Sequence, residues 1–254
     1  MTVTFPLSVG AQASRPRRRS VASPLRVMEH PFMSFRKILG TATALVAWVC
    51  VLVQLVYSVR NGLARGESVP RALANYFAYF TILTNLLVAL VLTLPALAPG
   101  RRIGRAFADL RVTWTAAAAI LVVGIAYHLL LRATHNPTGG EAITNIGMHY
   151  LVPAMYAAWW VVCTDVTGAR WADRALHLSA YPTAYFGYIV GRGEVVGTYP
   201  YFFVDVAQLG LLGALRNAAG ILVFYLVIAW LLLLAASRVG AGRVSAALAT
   251  TPNR

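Results

Sequence analysis

Six stretches of the chain stay apolar for roughly the 20 residues that a helix needs to cross about 30 Å of hydrocarbon. They cover residues 38–59, 72–94, 112–131, 143–164, 175–190 and 211–236, each bounded by charge or by Pro and Gly. The fifth is short, rich in Tyr and interrupted by Pro182, which a bundle tolerates when neighbouring helices satisfy the freed carbonyl. The pattern predicts an all-α, polytopic membrane protein of six transmembrane helices over residues 36–236, with a basic tail at 1–35 and a short tail at 237–254.

Composition strengthens this picture. Of 254 residues, 59% are apolar and 12% charged, about half the charge share of a soluble domain, and the mean hydropathy is +0.65. The net charge of +14 would point to nucleic acid in a soluble chain, but here the bases fall between apolar runs rather than along one polar face. Nucleic acid is therefore excluded as a partner. Taken by alternate segments, sixteen Lys and Arg lie on one side and six on the other, so the positive-inside rule places both termini in the cytoplasm of a bacterial plasma membrane. Trp114, Trp159, Trp160 and Trp171 would then gather near the inner interface, with Tyr199 and Tyr201 outside.

The first 35 residues are rich in Arg, Ser, Ala and Pro. They read as an unstructured cytoplasmic tail, or as a polybasic patch held to anionic lipid. Cys50 and Cys163 both fall in apolar runs, where a thiol behaves as a small buried hydrophobe. There is no internal repeat, glycine-rich phosphate loop or paired-Cys motif, and no cofactor or metal is expected.

Polar groups inside hydrocarbon are costly, so those that persist there are functional candidates. Counting 1.5 Å per residue from the nearest outer charge puts Thr81 about 15 Å down the second span and His149 about 12 Å down the fourth. Asn85 lies one turn beyond Thr81 on the same face. His128, four residues from Arg132, lies about 6 Å down the third span. Pro153 cannot donate to the backbone carbonyl of His149, and Gly147 admits a close neighbour, so a polar notch is expected beside the imidazole. Thr84 and Thr81 alike could instead bond their own helix, and Asn85 could cement two helices. In the fifth loop, Tyr199-Pro200-Tyr201-Phe202-Phe203-Val204-Asp205 reads as an interfacial anchor, or as a lid whose Asp205 or Glu194 orients a histidine.

These elements resemble a known family. Phe80-Thr81 opening an apolar helix, Gly147-Met148-His149 with Pro153 following, and Tyr199-Pro200 with Asp205 before the last span look like the androgen-induced (androgen-dependent TFPI-regulating) family of multispan membrane proteins. The run Tyr79-Phe80-Thr81-Ile82-Leu83-Thr84-Asn85-Leu86 with Tyr199-Pro200-Tyr201 resembles, more closely, bacterial six-span proteins of the Pr-six-Pr type. The likeness covers residues 36–236.

What the resemblance implies is a threonine-dependent intramembrane hydrolase of hydroxy-fatty-acid esters, with Thr81 as nucleophile and His149 as its base. Thr84 is a second candidate nucleophile, and Asn85 stands near a point where that family carries an acidic residue. A threonine hydroxyl needs a base within about 3 Å, and the oxyanion needs donors, for which Asn85 or His128 would serve. The partner is then a membrane lipid or lipid ester. Two rival readings are a non-catalytic lipid-binding, scaffold or regulatory bundle, in which Thr81 and His149 bond different helices with no shared cavity, and a haem held axially by His128 and His149.

Overall fold

The computed structural model describes the backbone of residues 24–249 and the side chains of residues 34–242. Among the described residues every regular element is helical. In chain order these are α1 (Pro24–Ala64), α2 (Val69–Tyr76), α3 (Phe80–Leu97), α4 (Arg102–Ala108) and α5 (Leu110–Ala126), which runs on into a π turn, Tyr127–Leu131. After it come α6 (Gly139–Ile146), a second π turn (Gly147–Leu151), α7 (Val152–Cys163), α8 (Ala175–Val196), a 3₁₀ turn (Phe202–Val204) and α9 (Val206–Ala249).

Five stretches are long and apolar enough to cross a membrane: Ser34–Ala64, Phe80–Leu97, Leu110–Leu131, Gly139–Cys163 and Val206–Gly242. They match five of the six apolar runs. The remaining run is the 22-residue α8, whose Tyr, Pro and Gly content keeps it below that level of hydropathy. Helix also extends beyond the apolar spans: α1 starts at Pro24, inside the stretch expected to be unstructured, and α9 continues to Ala249. The rest of the two tails, 1–23 and 250–254, lies outside the described residues.

The second span departs from the expected single helix over 72–94. Ser68 caps α2 by accepting the backbone N–H of Arg71, and Pro70 stands within its first turn, so this short helix has a defined start of its own. It stops after Tyr76, whose hydroxyl donates to the Val51 carbonyl at 2.6 Å. Tyr79 is extended (φ −84°, ψ 125°), and α3 begins only at Phe80. Thr81 therefore sits in the first turn of a membrane helix, and a depth counted along one continuous helix from Arg71 does not apply to it.

The core centres on α5. Ala116, Ala117, Ala118 and Ala119 are each fully buried, as small residues allow when helices approach closely. The tryptophans expected to form an interfacial belt mostly turn inward instead. Trp114 and Trp160 are fully buried and stacked, with Nε1–H donated to the Ala229 carbonyl and to Thr113 Oγ1 respectively, and Trp159 donates to the Arg36 carbonyl. An indole N–H inside hydrocarbon has no water to turn to, so each one ties its helix to another.

A close backbone approach joins α5 to the second π turn. Because Pro153 has no N–H, the His149 carbonyl lacks its helical donor, and Gly124 packs against it: a Cβ there would lie 2.8 Å from that oxygen. Replacing Gly124 with Val therefore overpacks backbone, with an expected loss of about 1–3 kcal/mol seen as a lower unfolding temperature in detergent. Gly187, with open space around it, is the control position at which a Gly→Ala change leaves that temperature in place.

Candidate functional site

His149 occupies the middle of the second π turn. In that turn the N–H of Val152 reaches back five residues to the Gly147 carbonyl, widening the helix at one point, an irregularity that recurs at functional sites. A Cβ at Gly147 would run into Cys50 Sγ of α1, so glycine lets the widened turn sit against its neighbour. His149 and Thr81 are both 8% exposed.

The tautomer of the imidazole follows from its partners. Nδ1 lies 3.0 Å from the Asn145 carbonyl, which can only accept, so Nδ1 carries the hydrogen and Nε2 presents its lone pair. Thr81 Oγ1 lies 3.3 Å from Nε2, and its O–H donates there. The Tyr127 ring, from the first π turn, stacks on the imidazole with centroids 3.9 Å apart and 24° between planes. Asn145 Nδ2 in turn donates to the Tyr127 hydroxyl at 2.6 Å. The result is a hydroxyl hydrogen-bonded to a neutral, oriented base, the arrangement that activates a nucleophile.

Thr81 and His149 share a cavity of about 520 Å³. Its walls combine apolar and aromatic side chains (Ile82, Met148, Tyr127, Tyr201, Phe202) with a polar flank from α1: Gln54, Ser58 and Asn61. Gln54 Oε1 accepts from the Thr144 hydroxyl at 2.6 Å, and Asn61 donates to Glu141 at 2.6 Å. The cavity reaches the end of the bundle where the exposed Arg65 pairs with the half-buried Glu67.

The other candidates lie elsewhere. Thr84 is fully buried with its hydroxyl 3.1 Å from that of Tyr181, facing α8 rather than His149. Asn85 is also fully buried; its Nδ2 donates to the Thr81 carbonyl at 2.9 Å and to the Met148 carbonyl at 3.3 Å. Both amide hydrogens are thus engaged in clamping the first turn of α3 to the His149 turn, which leaves none for an oxyanion. His128 is exposed, with its ring beside the Tyr150 hydroxyl and Arg132. It is apart from the cavity, and with the His149 nitrogens held by Thr81 and Asn145, the two histidines do not form an axial pair.

Asp205 does not orient a histidine either. Its carboxylate accepts the N–H groups of Ala207 and Gln208 at 3.0 and 3.2 Å, capping α9, as an acid does at orphaned helix donors. Glu194 accepts from the Tyr199 hydroxyl in an exposed position. The group that orients His149 is a backbone carbonyl, four residues earlier on the same helical face.

Tyr127, Asn145 and Tyr201 also line the cavity, and no catalytic motif in the sequence marks them. Asn145 and His149 have the i, i+4 spacing of facing residues, which is the one sequence signal for this pairing. Tyr127 neighbours His128 and points elsewhere, a choice that depends on helix rotation. Searches against protein-family models, curated proteins and solved structures return no match to this chain, so the geometry stands on its own.

Removing the clamp has a calculable direction. Asn85→Ala would leave two buried carbonyls without that donor, a loss of about 1–3 kcal/mol measurable as a lower unfolding temperature. His128→Ala, at an exposed ring, is expected to leave stability within about 0.5 kcal/mol of wild type.

Proposed function

We propose that the protein is an intramembrane hydrolase of lipid esters in which Thr81 is the nucleophile and His149 the general base. The observation that carries this reading is the Thr81 hydroxyl 3.3 Å from the unprotonated nitrogen of a histidine whose other nitrogen is fixed by Asn145, at the wall of a shared cavity. Thr81 Oγ1 attacks the ester carbonyl as its proton passes to His149 Nε2. The tetrahedral intermediate collapses with cleavage of the bond to the alcohol oxygen, which takes the proton from His149. Water then attacks the acyl–Thr81 ester, giving its proton to His149, and the released Thr81 oxygen recovers it. No external oxidant, metal or cofactor enters this balance.

The resemblance to the androgen-induced family names the same two residues, and hydroxy-fatty-acid esters are the substrates it implies. The scaffold reading requires Thr81 and His149 to bond to different helices and share no cavity, and their direct bond favours the enzyme over it. The surrounding apolar helices favour a substrate that arrives through the bilayer.

The topology that goes with this reading has six spans, both termini cytoplasmic and the site in the outer half of a plasma membrane. Supporting α8 as the sixth span are its length, about 33 Å at 1.5 Å per residue for 22 residues, and the inward hydrogen bonds of its tyrosines. Tyr181 meets Thr84, and Tyr185 donates to the Ala78 carbonyl at 2.8 Å. Neither polar group has to face lipid.

Two experiments test these statements. A fluorophosphonate probe is expected to label the purified full chain in detergent, with labelling abolished in Thr81→Ala, slowed at least about 100-fold in His149→Ala and kept in Thr84→Ala and His128→Ala. Equal labelling of Thr81→Ala and wild type would refute the nucleophile. In intact cells, a Cys introduced at Glu194 is expected to react with a membrane-impermeant maleimide while one at Arg102 does not; the reverse pattern would invert the topology. Both native cysteines are buried and leave the background low.

A further inference from the structure

Transfer of the Thr81 proton to His149 turns a neutral imidazole into a cation inside hydrocarbon, where an uncompensated charge is costly. No carboxylate is bonded to the ring, because the Asn145 carbonyl and the Thr81 hydroxyl already take its two nitrogens. The two acids that line the cavity have other partners: Glu67 accepts from Arg65 and Asn75, and Glu141 accepts from Asn61. Compensation has to come from the face of the imidazole.

That face is covered by Tyr127. The tyrosine is 5% exposed, and its ring lies over the imidazole with centroids 3.9 Å apart and 24° between planes. A cation within about 6 Å of an aromatic centroid is attracted to the negative face of the ring, most strongly where water is excluded. The contact is therefore stronger for the imidazolium than for the neutral base, and a difference of that kind lowers the barrier instead of merely stabilising the resting site.

The phenol is fixed in place by its surroundings. Asn145 Nδ2 donates to its hydroxyl at 2.6 Å, and the rings of Tyr150 and His135 stand edge-on to it, with centroids 5.8 and 6.3 Å away. Asn145 thus positions both members of the stack, the imidazole through its carbonyl and the phenol through its amide. Other buried tyrosines are used differently. Tyr76, Tyr156 and Tyr185 donate to the backbone carbonyls of Val51, Thr113 and Ala78 and so tie helices together, whereas the Tyr127 hydroxyl accepts from the residue that also orients the base.

Building on the hydrolase reading, we propose that Tyr127 is a positioning residue that acts through His149: its ring face stabilises the imidazolium formed as Thr81 attacks, in the place that a carboxylate takes in a Ser-His-Asp triad. The proton moves from Thr81 Oγ1 to His149 Nε2 as the oxygen bonds the ester carbon. It moves on from Nε2 to the alcohol oxygen as the carbon–oxygen bond breaks. Tyr127 exchanges neither proton nor electron pair. Deacylation forms the same imidazolium with water in the place of Thr81, so the effect of the ring shows in kcat whichever half is slower.

The test uses the purified full chain in detergent with p-nitrophenyl octanoate as substrate, and Thr81→Ala beside wild type. Tyr127→Leu is expected to lower kcat about 10- to 30-fold. Because that change also removes packing, the deciding series keeps a ring: Tyr127→Phe, and the same position carrying 4-fluoro-, 3,5-difluoro- and 3,4,5-trifluorophenylalanine. Fluorine drains negative potential from the ring face and alters its shape little. The kcat per folded protein is expected to fall stepwise along the series, to about one tenth of the Tyr127→Phe value at three fluorines. The same series at Tyr156, which does not line the cavity, is expected to leave kcat per folded protein unchanged. If kcat at Tyr127 is insensitive to fluorine while Thr81→Ala is inactive, the assignment falls and the Thr81–His149 reading stands. A decline that only follows the fraction unfolded overturns the assignment in the same way. If wild type does not turn over the ester, or Thr81→Ala remains active, the hydrolase reading falls and the assignment with it.

Discussion

Hydrocarbon offers no partner to a polar side chain, so an imidazole inside a membrane bundle must find partners for both of its nitrogens within the protein. His149 does so with one bond to its own helix, from Nδ1 to the Asn145 carbonyl, and one to another helix, through Thr81. The first bond decides the second. With the hydrogen held at Nδ1, the nitrogen facing α3 is the basic one, and the hydroxyl that meets it must be the donor. The π turns, the close approach of Gly124 and the stacked Tyr127 ring all hold the imidazole where that choice is made.

The same demand organises the opposite end of the bundle. There the indole N–H groups of Trp114, Trp159 and Trp160 reach across to neighbouring helices, and the fully buried alanines of α5 let those helices close in. Buried polar bonds thus fasten both ends of the bundle, and at the His149 end they border a cavity.

The apolar runs located the helices well, because span length is a property of local composition. Thr81 and His149, expected at similar depths, do touch, although α2 and α3 are separate helices and a depth measured from Arg71 follows a path the chain does not take. What local composition does not contain is helix rotation. Thr84 and Thr81 are three residues apart, yet one meets Tyr181 and the other His149. His128 and Tyr127 are neighbours in sequence, yet the tyrosine stacks on His149 and the histidine is exposed. Asp205 carries a charge that suggests chemistry, whereas its position at the start of α9 makes it a cap. Tyr201 reaches the cavity through a long-range contact, its ring edge-on to Tyr79 more than a hundred residues earlier in the chain, which no periodicity encodes.

The polar flank that α1 gives the cavity has a meaning beyond shape. The hydrolysis proposed for this site would join two reactants that avoid each other's solvent, and a site sunk in a bilayer is well placed for the oily one only. Gln54, Ser58 and Asn61 lie about one helical turn apart, along the side of α1 that leads from the Arg65–Glu67 end toward Thr81. Side chains of this kind can hold water between them. On the hydrolase reading proposed above, a flank built this way would bring the aqueous phase to Thr81 by a separate road, and an acyl group left there would be met by water without first having to leave the membrane.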